Sequence, residues 1–175
     1  MLFVDGAYWI LQDVLTGDRD SVAVEQNFQF EQDIAVTLRE GRVLADAPNG
    51  ARLVVTPLDT ALEPTVTVAD EAPHVTYSTQ YCANEKPRQF EHGRGWVARC
   101  TNHIMPAPAL TWHGTARLPA CVTLALLPLA PGATDEDLPG IRSEVTDGAV
   151  EWELPRPNGA AVHLRTSPAE CALVT

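Results

Sequence analysis

The sequence predicts an all-β protein: a two-layer antiparallel β-sandwich of roughly a dozen short strands with little or no helix. Three observations carry this expectation. Turn signals recur about every ten residues and separate short runs rich in β-branched and aromatic side chains. No segment repeats apolar residues at the i, i+3, i+4 spacing of an amphipathic helix. The one Ala-rich region, a Pro- and Ala-rich connection from Met105 to Pro119, carries Pro106, Pro108 and Pro119, which forbid a long helix there.

The elements follow from local chemistry. Leu2-Phe3-Val4 and the run from Tyr8 to Leu15 flank Asp5-Gly6, a hairpin signal because a type I′ turn needs positive φ at both central positions. The second arm is apolar almost continuously, so we expect a strand covered on both faces at the centre of the core. Val22, Val24, Phe28 and Phe30 punctuate a polar segment with period two, which reads as a strand with one wet face. Ile34–Leu38 and Arg42–Leu44 flank Glu40-Gly41, a second hairpin, and Asp46–Gly50 is a loop. Leu53–Leu58 is a buried-type strand and Thr65–Val68 a short alternating one. His74–Tyr81 alternates loosely, Asn84–Arg88 is a loop, and Trp96–Cys100 and Cys121–Leu129 are strands. After an acidic loop, Pro131–Pro139, Val145 and Val150–Leu154 flank Asp147-Gly148, a third hairpin, and Val162–Leu164 and Ala172–Val174 finish the chain.

At 175 residues the chain is expected to form one domain, residues 1–175, with enough length to bury a core. Its net charge of −11 argues against nucleic acid and anionic membrane as partners, since both would repel it. No stretch approaches the roughly 20 apolar residues of a membrane-spanning helix, and no secretory leader is visible ahead of the first strand. Cys82, Cys100, Cys121 and Cys171 contain no Cys-x-x-Cys pair. That spacing disfavours a zinc ribbon and leaves disulfides and buried thiols both open.

The histidines His74, His92, His103, His113 and His163 lack helical zinc-site spacing, so no cofactor is expected, although strands could assemble a divalent-metal site from distant residues. Gly-x-Ser-x-Gly, Gly-x-Gly-x-x-Gly and P-loop motifs are missing, which disfavours α/β-hydrolases and nucleotide enzymes. The acidic groups Asp18/Asp20 and Asp135/Glu136/Asp137 read as solvated turns. The polar-aromatic region is Tyr77 to His113. Rings there suit stacking on a pyranose, and Arg suits bidentate grip of a carboxylate or sulfate. The candidate substrate-binding residues are Tyr81, His92, Arg94, Arg99 and His103. The plainer reading makes Trp96 core and the rest loop decoration.

Tyr8-Trp9-Ile10-Leu11-Gln12-Asp13-Val14-Leu15-Thr16-Gly17, followed by Phe28-Gln29-Phe30, resembles the C-terminal β-domain of the heparinase II/III-like family. There a Tyr-Trp-apolar-apolar-x-Asp-x-apolar-x-Gly strand precedes one ending in an aromatic–His–apolar triplet. Tyr77–Tyr81 is similar to the family's Ser-x-x-Tyr stretch, and Leu118–Pro128 to its late strand closing on Pro. The resemblance implies a two-layer β-sandwich that follows an α/α toroid in full-length relatives, and so a piece of a longer, periplasmic or secreted protein.

Members of the family are mostly polysaccharide lyases that cleave uronate-containing glycans by β-elimination. That reaction needs a neutralised carboxylate, a base for the C5 proton and an acid for the leaving oxygen. Ser21 and Gln29 stand where relatives often carry histidine, so this piece departs from the pattern at the expected catalytic or metal-binding positions. The expected function is therefore a module supporting a lyase on an acidic polysaccharide or oligosaccharide, with the toroid separate or missing, and not catalytic alone. The alternatives are a free-standing carbohydrate-binding or structural β-sandwich, and a small β-enzyme using His and Tyr from the Tyr77 to His113 region.

Overall fold

A computed structural model describes residues 1–4, 6–58, 62–68, 94–100, 103–147, 149–156, 159–166 and 171–174. The architecture is all-β. In chain order the strands are β1 (Leu2–Val4), β2 (Tyr8–Leu15), β3 (Ser21–Gln29), β4 (Ala35–Arg39), β5 (Arg42–Asp46), β6 (Arg52–Pro57) and β7 (Glu63–Thr67). They continue with β8 (Trp96–Cys100), β9 (His103–Pro106), β10 (Ala109–Arg117), β11 (Ala120–Leu129), β12 (Arg142–Thr146), β13 (Ala149–Pro155), β14 (Ala161–Thr166) and β15 (Cys171–Val174). Among the described residues a single 3₁₀ turn, Asp135–Asp137, lies in the acidic loop.

The predicted hairpins form in the predicted places. Leu2 pairs with Ile10 and Val4 with Tyr8 across the first turn, where Gly6 has φ +74°. Arg39 pairs with Arg42 across Glu40 (φ +51°) and Gly41 (φ +74°), both left-handed as a type I′ turn requires. Thr146 pairs with Ala149 across the third turn, where Asp147 takes φ +53°. Alternation along β3 is complete: exposed and half-buried residues succeed one another from Ser21 to Gln29.

Three sheets build the core. The central one has six strands in the order β1-β2-β11-β6-β5-β4. One of its faces is packed by a three-stranded sheet, β3-β10-β7, which gives the antiparallel sandwich expected of an all-β chain. The other face is packed by a four-stranded meander, β12-β13-β14-β15. A separate hairpin, β8-β9, carries a bulge between Ala98 and Cys100.

Because side chains alternate along a strand, neighbouring residues of β11 serve opposite cores. Val122 and Leu124 enter the cluster built around Leu110 and Trp112, whereas Ala125, Leu127 and Leu129 enter the cluster built around Trp152, Leu154 and Leu164. The strand covered on both faces is therefore β11, buried without interruption from Val122 to Ala125. The opening strand β2 buries Tyr8 and Ile10 against the meander, but its end emerges, with Val14 55% exposed. The six-stranded sheet is covered on both sides as the apolar run of β2 suggests, yet its axis lies one strand over.

The connection expected between Met105 and Pro119 is instead ordered strand. β10 runs through it and forms the middle of the outer sheet, with β3 on one side and β7 on the other. Pro108 and Pro119 sit just outside the nine residues of β10, so they bound the ladder without removing a donor from it. The Leu118-Pro119 peptide between β10 and β11 is cis. Cys121, on β11, is disulfide-bonded.

Candidate functional site

The outward face of the three-stranded sheet is the polar surface of interest. Alternation turns Val24, Phe28, Leu110, Trp112 and Val66 inward to the core. It turns Glu25, Asn27 and Gln29 of β3, Thr111 and His113 of β10, and Glu63 and Thr65 of β7 outward. The register then sets cross-strand rows: Asn27, Thr111 and Thr65 in one, and Glu25, His113 and Glu63 in the next. Directly opposed side chains on one face lie within reach of each other.

These rows are joined by side-chain hydrogen bonds. Thr111 Oγ1 donates to Asn27 Oδ1 at 2.8 Å and accepts from Arg94 Nη1 at 2.8 Å. The second arm of the Arg94 guanidinium binds the Glu25 carboxylate. Thr111 is buried despite facing outward, and Gly95, next to Arg94, is buried and accepts from Ala107 N at 2.8 Å. The start of β8 is thus pinned over one end of the face. Beyond it, His113 Nε2 lies 2.8 Å from Thr65 Oγ1. At the near end, Gln29 Nε2 donates to the carbonyls of Phe30 (3.1 Å) and Pro108 (3.0 Å).

Of the candidate residues, Arg94 is the one whose side chain is placed, and it is on this face. Tyr81 and His92 lie outside the described residues. The backbones of Arg99 and His103 are in β8 and β9, where Cys100 pairs with His103, but their side chains lie outside the description. Trp112, part of the polar-aromatic run, is fully buried in the core; only its neighbours Thr111 and His113 reach the outer face. Trp96 is half-buried. Glu25, Asn27 and Thr65 were not among the candidates, although the wet face of β3 was legible from its period of two.

The chemistry of this face is hydrogen bonding around one ion pair, Arg94–Glu25, with Glu63 exposed beside it. Arg94 is committed to Glu25, so its charge is largely compensated. Hydroxyl, amide and imidazole groups remain in a flat array of the kind that exchanges hydrogen bonds with polyhydroxylated ligands. Among the described residues no group of three or more His, Cys, Asp or Glu side chains could hold a metal ion. Gln29 and Ser21, at the positions where histidine is expected by resemblance, act within the fold: Gln29 closes the end of β3, and Ser21 pairs with Arg117 at its start. None of the described helices is long and apolar enough to cross a membrane. No family model, curated protein or solved structure matches the chain.

Proposed function

We propose that the chain is the C-terminal β-sandwich module of a heparinase II/III-like polysaccharide lyase. In this role it presents a wall to an acidic, uronate-containing glycan and is not catalytic by itself. The observation that carries the reading is the ordered Arg94–Thr111–Asn27–Glu25 network on the outward face of the β3-β10-β7 sheet. A preorganised array of donors and acceptors binds sugar hydroxyls without a large ordering cost. The Tyr8–Gly17 stretch that carries the resemblance forms β2, beside β11 in the central sheet.

The wall and not the chemistry is proposed on the strength of the described side chains of this face. β-Elimination needs a cation free to neutralise the uronate carboxylate and a base free to take the C5 proton. On this face Arg94 is occupied by Glu25, and His113 by Thr65. The test pairs a binding titration of the whole chain against uronate-containing and neutral glycans with an assay for the absorbance of unsaturated uronate. Binding that weakens in Asn27→Ala, with no new absorbance, is the expected result. Unsaturated product from the chain alone would overturn the non-catalytic role, and glycan binding untouched by Asn27→Ala and Arg94→Ala would remove the face from the proposal.

A further inference from the structure

Among the described strands, the long open sheet edge belongs to β3. In the three-stranded sheet β3 pairs with β10 alone, in an unbroken antiparallel register from Ser21 opposite Arg117 to Gln29 opposite Ala109. Two flanking bonds fix which main-chain groups this ladder uses. Phe30 N donates to the Pro108 carbonyl at 2.9 Å, and Leu118 N donates to the Asp20 carbonyl at 3.0 Å. Both pairs continue the β3-β10 register, so the even-numbered residues of β3 turn their N–H and C=O toward β10. The N–H and C=O of Ser21, Ala23, Glu25, Asn27 and Gln29 point the other way, to the open edge, and all five residues are exposed.

Proteins usually blunt such an edge with shortness, proline, charge or a bulge. The other edges of the core sheets follow that rule. β1 and β15 have three and four residues. β7 carries Pro64 and lies against β4, which is five residues long and ends in Arg39. β12 presents Arg142 and Glu144. β3 has none of these devices. It is nine residues long, contains no Pro, Gly, Lys or Arg, and its one charged residue, Glu25, is paired with Arg94.

An edge of about 30 Å, at about 3.3 Å per residue, is a template for strand addition. Charge decides what is added. The chain carries −11, so a second copy is repelled, whereas Asp18 and Asp20 stand exposed just before β3 with Arg19 between them. We propose that β3 takes up an extended, basic segment of a partner protein as a fourth strand of the β3-β10-β7 sheet. Main-chain bonds to the five exposed residues hold the segment. Its inward side chains are apolar, beside Val22, Val24 and Phe28, and its terminal cations answer Asp18 and Asp20. This role is independent of the glycan reading, since it uses main-chain groups of the edge and not the side chains of the outer face.

The probe is the peptide acetyl-Lys-Val-Thr-Val-Thr-Val-Thr-Val-Lys-amide, added to the full chain and followed by amide hydrogen exchange. Without peptide, Ala23, Glu25 and Asn27 should exchange fast and Val24 and Gln26 slowly; with it, the first three should slow about tenfold or more. N-methylation of the threonine amides, which face β3 in this register, should weaken binding about tenfold or more, and N-methylation of the valine amides should change it less than about twofold. Glu in place of both Lys should weaken it about tenfold. Ala23→Pro removes an N–H from the open edge and none from the β10 ladder, and should also weaken binding about tenfold. Equal weakening by the two methylation patterns, equal binding of the Glu peptide, or no slowing at about 1 mM peptide would overturn the proposal. Slowing of Ala23, Glu25 and Asn27 on concentrating the chain without peptide would overturn it too, and give the edge to a second copy.

Discussion

Gln26 Nε2 donates to Asp13 Oδ2 at 2.7 Å, linking β3 of the outer sheet to β2 of the central sheet. Both residues sit on inward faces, at the margin where the two sheets close on each other. Asp13 is the acidic residue inside the otherwise apolar opening run. Its place there is explained by this contact: the carboxylate meets an amide from the facing layer instead of a hydrophobic side chain. Both groups are solvent-accessible, so the net contribution is expected near the lower end for such bonds, about 1 kcal/mol. A double-mutant cycle on Asp13→Ala and Gln26→Ala, measured by urea unfolding, should return a coupling energy of that size.

Thr111 should matter more to stability than the ion pair above it. Arg94 and Glu25 keep 41% and 57% of their side-chain surface exposed, so the pair contributes about 0.2–1 kcal/mol. Thr111 is buried at 3% exposure and satisfies both Arg94 and Asn27. Thr111→Val keeps the shape and strands both partners, for an expected loss of about 1–3 kcal/mol, against less than about 1 for Glu25→Ala. Chemical denaturation of the two variants side by side checks the order.

The C-terminal meander is part of the core and not an appendage. Trp152 and Leu154 of β13 and Leu164 of β14 pack on the face of the central sheet made by Tyr8, Ile10, Val54 and Ala125. Trp152→Ala is expected to cost about 3–5 kcal/mol in a single cooperative unfolding transition. Tyr8→Phe, which removes the bond to the Pro155 carbonyl, should cost about 1 kcal/mol. Separate melting of a 1–130 unit and a C-terminal unit would contradict this packing.

The Glu40-Gly41 turn holds a correctable strain. Glu40 occupies φ +51°, a conformation that costs an L residue with a long side chain roughly 1 kcal/mol. Glu40→Asn places a residue that tolerates this region and should raise stability by about 0.5–1 kcal/mol. Gly41→Ala should lower it by about 1–2 kcal/mol through backbone strain alone, since an added Cβ there meets nothing within 4 Å. Thermal unfolding of the two variants against the parent reads both signs.

What the sequence by itself determined is local. The turns at Glu40-Gly41 and Asp147-Gly148, the wet face of β3 and the all-β class are written in neighbouring residues, because φ preference and side-chain alternation act within a few positions. The apolar run of β2 suggested a strand covered on both faces, but that strand is β11. What only the tertiary structure decided is long-range. β10 looked like a proline-rich connection because its ladder partners, β3 and β7, are distant in the chain, and nothing local shows that Pro108 and Pro119 fall just outside its paired residues.

The candidate site shows the same division. Arg94 was legible as a side chain that could act at a sugar-binding surface, but its partner Glu25 is 69 residues away. Register and topology alone bring the two together, and that meeting turns a free cation into one arm of a hydrogen-bonded network. Similarly, the opening strand supplies the apolar run, but β11 became the central strand because it pairs with both β2 and β6 and sends successive residues into opposite cores.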